Sequence, residues 1–209
     1  MSVVQEIKQI APNAKVDINT MANTFNDYAY KYGITTEKRL DAFLAQLAEE
    51  TDGFRSLVEY ASGAAYEGRL DLGNTQPGDG VKFKGRGGIM ITGRSNYATV
   101  SKELFGDSRL LSDPTILQQP APAMISSMFY WKTRGCNELA DVGDFKGITK
   151  KINGGLNGWA DRLSYWQRAK IYVSGFFLEN PVVSAAAGVS LVALVIVLVL
   201  VHFKKIKLK

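Results

Sequence analysis

The sequence predicts a mainly α-helical domain followed by one C-terminal transmembrane helix. Two observations lead to this prediction. Apolar residues recur at helical spacing through much of residues 1–180, and the 22 residues Val182–Phe203 contain no Asp, Glu, Lys or Arg. Residues 1–180 are therefore assigned to one domain, 182–203 to the membrane helix and 204–209 to a basic tail, with Asn180-Pro181 as the boundary.

Three helices are predicted in the first 50 residues. The first contains Val4, Ile7 and Ile10 at a spacing of three and stops before Pro12. The second ends at Gly33 and presents Ile18, Met21, Phe25, Tyr28 and Tyr32. The third, residues 36–50, is capped by Thr35 or Thr36, ends before Gly53 and has the clearest apolar face, formed by Leu40, Phe43, Leu44, Leu47 and Ala48.

The glycine-rich residues 61–96 are predicted to form a loop with room for a short strand pair. Long ordered loops in compact domains are usually functional. The loop carries a basic cluster that is either a surface for an anionic polymer or a solvated face, formed by Lys82, Lys84, Arg86 and Arg94. Helices are predicted to resume at Tyr97–Leu104, Pro122–Arg134, Asp144–Ile152 and about 158–177.

The composition excludes several kinds of site. Cys136 is the single cysteine and His202 the single histidine, so an intrachain disulfide, a multi-cysteine zinc site and a histidine-based triad within residues 1–180 are excluded. We expect no metal and no cofactor, and carboxylates would carry any catalysis. Four lysines at 204–209 supply most of the net charge of +5, so no nucleic-acid partner is expected.

The apolar segment 182–203 is long enough to cross a bilayer. As a helix it would extend about 33 Å, against a hydrocarbon core of about 30 Å. The lysine-rich tail favours the cytoplasmic side and would place residues 1–180 outside. However, the N-terminal segment has no long apolar core, so no signal peptide is visible. Either the domain stays in the cytoplasm, or the membrane lies inside a virus particle.

Three glutamates are the candidate chemical groups. On a helical wheel Glu50 falls at the margin of the apolar face with Gln46 on the same flank, whereas Glu49 faces solvent. A half-buried carboxyl group keeps a proton more readily than a solvated one, as a general acid requires, although Glu50 could also be a merely solvated helix end. The helix break at Gly53 lets Glu59 return toward the helix end; Glu67 is either a second carboxylate of a site or an ion-pair partner of a nearby arginine, Arg69 or Arg86.

Three segments in order carry a family resemblance: FLAQLAEETDGF at 43–54, GDGVKFKGRGGIMITGRSNY at 78–97 and KINGGLNGWADRLSYW at 151–166. Together they resemble the family 19 glycoside hydrolases, in particular phage endolysins related to plant chitinases. The resemblance covers roughly residues 11–172 and implies a mainly α-helical, lysozyme-like fold. It also implies hydrolysis, with inversion, of β-1,4 bonds between amino sugars, here in the glycan strands of peptidoglycan.

The resemblance implies roles for individual residues. Glu50 matches the general acid, Glu59 the general base with Glu67 as its rival, and Thr92 the hydroxyl that helps hold the attacking water. An inverting pair of carboxyl groups is about 6.5–9.5 Å apart. Asn96, Tyr97 and Asn153 match cleft residues, and Arg162 matches an arginine of the cleft wall or of an ion pair. Three further substrate-binding candidates come from the residues themselves, with core burial as the alternative for the aromatic ones: Gln46, Tyr60 and Trp159.

Three positions depart from the family pattern. Glu49 replaces the usual His, Asp52 the usual Gly and Met90 the usual Gln, so activity is expected to be weaker, retuned or lost.

We expect a membrane-anchored, bacteriolytic glycosidase of a phage, in the internal membrane of the virion or the inner membrane of the host. It would act in infection or in host lysis, with lipid and other virion membrane proteins as candidate partners. The alternatives are a non-catalytic peptidoglycan-binding or membrane-structural virion protein, and a bacterial chitinase or antibacterial effector.

Overall fold

The computed structural model describes residues 2–172. Ten α-helices are present in this part of the chain: α1 Val3–Ile10, α2 Ile18–Tyr32, α3 Glu37–Glu50, α4 Asp79–Lys82, α5 Arg94–Phe105, α6 Arg109–Ser112, α7 Pro120–Thr133, α8 Cys136–Asp141, α9 Phe145–Asn153 and α10 Trp159–Tyr172. Three short 3-10 helices lie at Ala64–Tyr66, Leu70–Leu72 and Pro114–Gln118. The prediction of a mainly α-helical domain is confirmed.

The first three helices begin and end where the sequence signals place them. The Asp17 side chain accepts hydrogen bonds from two backbone amides at the start of α2, and Gly33 ends α2 with φ of 73°. The Thr36 side chain accepts from the Arg39 amide at the start of α3. These caps satisfy backbone groups that a helix leaves unpaired at its ends.

Helix α3 lies at the centre of the main hydrophobic core, and α10 packs along it. The Phe43 ring lies 6.0 Å from Phe25 and meets Trp131 edge-on at 5.4 Å. On the other side of the core, Phe145 and Trp166 stack with centroids 4.3 Å apart. Because α3 is buried on most of its surface, the residues at its C-terminal end are held on a rigid element.

A second, smaller core organises the glycine-rich segment. Its buried members are Phe83, Ile91, Tyr97, Val100, Leu110 and Leu117. Two residues of α7, Phe129 and Tyr130, pack against both cores. The segment that precedes α5 is therefore fixed to the helical domain through α7.

The glycine-rich segment contains less strand and more helix than the sequence suggests. Two isolated antiparallel bridges, Val58 with Arg86 and Arg86 with Ile91, replace the expected strand pair. Helix α5 begins at Arg94 rather than Tyr97, and three short helices have no counterpart in the prediction: α4 within the segment, and α6 and α8 after it. Helices of four or six residues are too short to show an apolar period.

Within residues 2–172, no helix combines the length and the apolar character that crossing a membrane requires. The predicted membrane helix at 182–203 and the basic tail at 204–209 lie outside the described residues.

Candidate active site

The C-terminal end of α3 carries a buried hydrogen-bonded network. Glu50 Oε1 accepts a hydrogen bond from Arg162 Nη2 at 2.6 Å, and Arg162 Nη1 donates to Gln46 Oε1. The side chains of Arg162 and Glu50 are 3% and 13% exposed. The wheel therefore placed Glu50 and Gln46 correctly on one flank. Because a buried charge is costly unless it is paired, this ion pair fixes the position of the Glu50 carboxylate.

Two residues that the sequence did not single out complete this network. Gln46 Nε2 donates to Thr149 Oγ1 at 2.8 Å, and Arg162 Nε donates to the Asn157 carbonyl at 3.0 Å. Gln46 is fully buried. Its predicted contact with a substrate does not agree with this burial, and its visible function is to hold Arg162.

Glu49 does not face solvent as the helical wheel suggested. It is half-buried beneath the turn before α10, where an added Cβ on Gly158 would lie 1.9 Å from Glu49 Oε1. Burial raises the pKa of Glu49 above its usual range, while the positive charge of Arg162 opposes the increase. The wheel considers only the helix itself and cannot show which segment covers each side.

A left-handed turn follows α3. Three consecutive residues have positive φ: Asp52 at 52°, Gly53 at 67° and Phe54 at 58°. The buried Phe54 anchors this turn, and its carbonyl accepts from two backbone amides of the α1–α2 connection. The reversal is the physical reason that the chain turns back after Glu50.

Asp52 ties the turn to the next candidate residues. Its carboxylate accepts from Arg55 Nη2 at 2.5 Å and from the Tyr60 hydroxyl at 2.9 Å. These hydrogen bonds, Arg55 first, hold the pKa of Asp52 below its usual range. Tyr60 is 75% exposed, so its ring is available to a ligand, as predicted for a substrate contact.

Glu59 is held in a bridged segment close to the glycine-rich loop. Its amide donates to the Gly85 carbonyl at 3.0 Å, and its Oε2 accepts from the Tyr66 hydroxyl at 3.1 Å. Its Oε1 is buried and has no hydrogen-bond partner among the described residues. A Cβ at Gly85 would lie 2.7 Å from Glu59 Oε2 and 3.2 Å from Met90 Cβ. The glycine is therefore required for the Glu59 and Met90 side chains to lie side by side.

Glu67, the rival carboxylate, has a different set of partners. Its two oxygens accept from the backbone amides of Gly78 and Gly80 at 2.7 and 2.8 Å. The expected ion pair with Arg69 or Arg86 is wrong, since Arg69 pairs with Asp71 and Arg86 donates to backbone carbonyls and a tyrosine hydroxyl. Both Glu67 oxygens are thus engaged in holding the loop, whereas Glu59 keeps one oxygen without a partner among the described residues.

Three of the four cations of the basic cluster are bonded within the protein, Lys84, Arg86 and Arg94, whereas Lys82 is exposed. Lys84 Nζ donates to the Glu59 and Ala61 carbonyls at 3.0 and 2.9 Å. Arg94 pairs with the buried Asp79 at 2.5 Å. These cations therefore fasten the loop instead of presenting charge to a polymer.

The residues after the loop turn are arranged around one pair of hydrogen bonds. Thr92 Oγ1 donates to the Met90 carbonyl at 2.9 Å, and Asn96 Nδ2 donates to the Thr92 carbonyl at 2.7 Å. Tyr97 is fully buried; its hydroxyl donates to the Lys84 carbonyl, and burial raises its pKa to about 12. Its predicted place on the cleft surface does not agree with this burial, and it supports the loop from below.

The last two predicted substrate residues lie at the end of α9 and the start of α10. Asn153 Oδ1 accepts from the Asn157 amide at 3.3 Å and shapes the intervening turn. Trp159 is half-buried, with its ring 5.9 Å from Phe145. It packs against the main core, in agreement with core burial, the alternative to substrate binding.

The boundary between the glycine-rich loop and helix α3 lies one turn before Glu50, and the same loop bonds to Glu59 at Gly85. A Cβ on Gly88 of the loop would lie 3.3 Å from Leu47 of α3, one turn before Glu50. A cavity of about 190 Å³ beside this boundary is lined by Ile91, Asn96 and Tyr130, among others. Burial raises the pKa of Tyr130, the positive charge of Arg134 opposes this, and the negative charge of Glu50 adds to it. Tyr130, which the sequence did not single out, therefore lies between the Glu50 group and the Asn96 group.

No group of three or more potential metal ligands occurs among residues 2–172. The arrangement instead offers two carboxylates on neighbouring segments: one hydrogen-bonded to a buried guanidinium, and the other with a buried, unpartnered oxygen.

Comparisons with known proteins agree with this architecture. No family model matches the chain. A Haemophilus influenzae protein described as glycosyl hydrolase family 19 domain-containing is 35% identical over 109 residues, which are 52% of each chain. The chain thus spans about half the length of this curated relative.

Solved structures are similar over most of the chain. Chitinase C from Streptomyces griseus has a TM-score of 0.67 at 20% identity, with 83% of this chain and 94% of that one covered. A bacterial family 19 chitinase gives 0.67 at 20% identity, covering 81% and 93%. The family 19, class IV chitinase of Zea mays gives 0.62 at 20% identity, covering 82% and 90%. The described residues therefore have the helical, lysozyme-like fold of family 19 chitinases.

Proposed function

We propose that this chain is a glycosidase that hydrolyses the β-1,4 bonds between amino sugars of peptidoglycan with inversion. The observation that carries the proposal is a set of two carboxylates: Glu50 is held by Arg162, and Glu59 has a buried oxygen without a partner among the described residues and bonds to the loop that contacts α3 at Leu47. The similarity to family 19 chitinases and to the Haemophilus influenzae relative supports the same reaction class. Inverting glycosidases use two carboxyl groups with opposite proton roles.

Glu50 is proposed as the general acid. Its Oε1 is held by Arg162, whereas its Oε2 accepts no hydrogen bond from the described residues. Oε2 would carry the proton and deliver it to the glycosidic oxygen as the bond to the anomeric carbon breaks. Gln46 and Thr149 hold Arg162, and Arg162 holds Glu50, so the acid is fixed before the substrate arrives.

Glu59 is proposed as the general base. Buried acceptors normally have a hydrogen-bond partner, and Glu59 Oε1 has none among the described residues. A water bound there would lose a proton to Glu59 while its oxygen attacks the anomeric carbon from the face opposite the leaving group. Thr92 Oγ1 already donates to the Met90 carbonyl, so its oxygen remains free to accept from that water. The cycle closes when Glu59 releases its proton to solvent and Glu50 takes one up.

The biological setting is a proposal from the sequence. Residues 182–203 would anchor the enzyme in a membrane, and the anchor would confine wall digestion to a thin layer next to that membrane. A phage that carries an internal membrane would use such an enzyme to penetrate the cell wall, or to open it for release, in contact with other virion membrane proteins.

The decisive experiment compares the full chain, purified in non-ionic detergent, with Glu50→Gln and Glu59→Gln. Release of new reducing ends is measured on purified peptidoglycan and on chitin oligomers. Because general acid or base catalysis contributes about 10²–10⁴-fold, each variant should lose at least about a hundredfold in rate. Glu49→Gln is the matched control, since it removes the neighbouring carboxylate and should retain most of the activity.

Activity on peptidoglycan and on chitin oligomers distinguishes the proposed function from its alternatives. A parent protein that binds peptidoglycan but releases no reducing ends would support the non-catalytic reading, which Glu49, Asp52 and Met90 motivate. Faster cleavage of chitin oligomers would support a chitinase. An active Glu50→Gln variant would contradict the acid assignment. Flotation with liposomes, with a version ending at residue 180 as the comparison, tests the anchor.

A further inference from the structure

A groove runs along the outer face of the segment that joins Glu50 to Glu59. Two cavities, of about 180 and 340 Å³, lie on this face, and Arg55 lines both of them. The first is bordered by Asp52, Tyr165 and Arg168, and the second by Val58 next to Glu59. Both cavities therefore border the segment that follows Glu50 and leads to Glu59.

Arg168 has an unusual environment for a half-buried arginine. Its guanidinium lies 4.6 Å from the centre of the Tyr165 ring. It makes no ion pair and no hydrogen bond with residues 2–172, and its Nε is buried without an acceptor. A half-buried guanidinium normally has an acceptor, and a buried donor without one destabilises the protein. The local structure thus holds a cation ready for a carboxylate or a similar planar anion.

The nearby acidic groups do not neutralise this charge. Asp52 is already bound by Arg55 and Tyr60. Asp17, which borders the second cavity, uses both oxygens on the cap of α2. The positive charge of Lys15 also acts on Asp52. The charged residues that line the two cavities are thus two arginines and two aspartates, Arg55, Arg168, Asp17 and Asp52, and of these four Arg168 alone has no ion-pair or hydrogen-bond partner among the described residues.

We propose that this groove binds a carboxylate of the peptide branches of peptidoglycan, an inference that rests on the proposed glycosidase function. Chitin is a neutral polymer of amino sugars, whereas alternate sugars of peptidoglycan carry short peptides with free carboxylates. A guanidinium can donate two parallel hydrogen bonds to the two oxygens of a carboxylate. Arg168 would then distinguish peptidoglycan from chitin without touching the bond that is cleaved.

The test compares Arg168→Gln with the parent on two forms of one glycan. One is a soluble peptidoglycan fragment with its peptides, and the other is the same fragment after the peptides have been removed by an amidase. Binding is measured in the Glu50→Gln background by calorimetry, and cleavage in the otherwise unchanged chain. Loss of a charge-assisted contact should weaken binding of the peptide-bearing fragment about five- to tenfold and raise its KM similarly. Binding and kcat for the peptide-free fragment should not change.

Two control variants isolate the role of the charge. Arg109→Gln also removes an arginine that lies over an aromatic ring, 4.7 Å from Phe105, and Arg109 lines neither cavity of the groove. It should bind both fragments like the parent. Arg168→Lys should recover part of the lost affinity, and added salt should reduce the difference between the two fragments.

The outcomes are distinct. Equal losses on both fragments would show a structural role for Arg168, and no change on either would show that the groove does not bind the branch; either result overturns the proposal. If the parent cleaves neither fragment, the glycosidase proposal fails, while the binding measurements still decide whether Arg168 recognises the peptide.

Discussion

Glu6 provides the clearest relation between stability and pH in this structure. It lies in α1, is fully buried, and neither carboxylate oxygen has a hydrogen-bond partner among the described residues. Burial raises the pKa of Glu6 from 4.5 to about 8; the positive charge of the N-terminus opposes the increase, and the negative charges of Asp41 and Glu37 add to it. Burial likewise raises the pKa of Asp41 from 3.8 to about 7. Both groups therefore bind protons more tightly in the folded state than in the unfolded state.

The sign of the effect follows from linkage. Between pH 4.5 and 8 the folded protein binds more protons than the unfolded chain, so the free energy of unfolding falls as pH rises. At about 1.4 kcal/mol per pH unit, ionisation of Glu6 alone costs on the order of 4 kcal/mol by pH 8. Asp41 adds to this loss mainly below pH 7, but the two groups interact and their contributions do not simply add.

The perturbation is Glu6→Gln, which keeps the shape of the side chain and cannot ionise. The assay is urea unfolding of the full chain in detergent, followed by near-ultraviolet circular dichroism from pH 4.5 to 8.5. The stability of the variant relative to the parent should increase by about 3–4 kcal/mol across this range. Glu103→Gln is the control: Lys31 holds the pKa of Glu103 below its usual value of 4.5, so its pH-dependent contribution lies below about pH 4.5 and the relative stability of this variant should stay nearly constant from pH 4.5 to 8.5. A relative stability of Glu6→Gln that does not change with pH would refute the assignment of a buried, uncompensated carboxyl group.

Two further predictions concern the supports of the site. Gly158→Ala should lower the melting temperature more than Gly154→Ala, because both positions have positive φ but only Gly158 would clash, with Glu49 Oε1 at 1.9 Å. The left-handed backbone alone costs about 1–2 kcal/mol, so the difference between the two variants measures the clash, and equal losses would mean that Glu49 is not packed there. Glu67→Gln should leave global stability within about 2 kcal/mol of the parent but accelerate amide exchange at residues 78–80, since those amides lose a charged acceptor. Unchanged exchange, measured by mass spectrometry, would contradict that anchoring role.

The sequence predicted the supports of Glu50 better than those of Glu59. A helical period of 3.6 residues places Gln46 and Glu50 on one flank from local information alone, and the structure agrees. The same wheel failed for Glu49, because the turn at Gly158 that covers it is more than 100 residues away in the chain. Periodicity describes a helix but not its neighbours.

The glycine-rich segment was less predictable because its structure depends on contacts between distant residues. Two single bridges and a set of side-chain-to-backbone hydrogen bonds hold it, and none of these has a repeating sequence pattern. The loop lysine Lys84 looked like a surface cation but donates to backbone carbonyls. Glu67 looked like an ion-pair partner, yet it binds backbone amides because glycines at 78 and 80 expose them.

Glu50 and Glu59 lie on different kinds of structure, and this affects what the departures from the family pattern can change. Glu50 stands on a helix buried on nearly all sides and is held by a chain of side-chain hydrogen bonds. Glu59 stands on an irregular segment, and two of the departures touch that segment: Met90 lies beside it across Gly85, and Asp52 binds the hydroxyl of the next residue, Tyr60. These two departures can therefore shift Glu59, the proposed base. The third departure, Glu49, lies beside Glu50, and the negative charge of Glu50 raises the pKa of Glu49. We infer that Asp52 and Met90 would retune the proposed step that activates water, whereas Glu49 would act on the proposed proton donor.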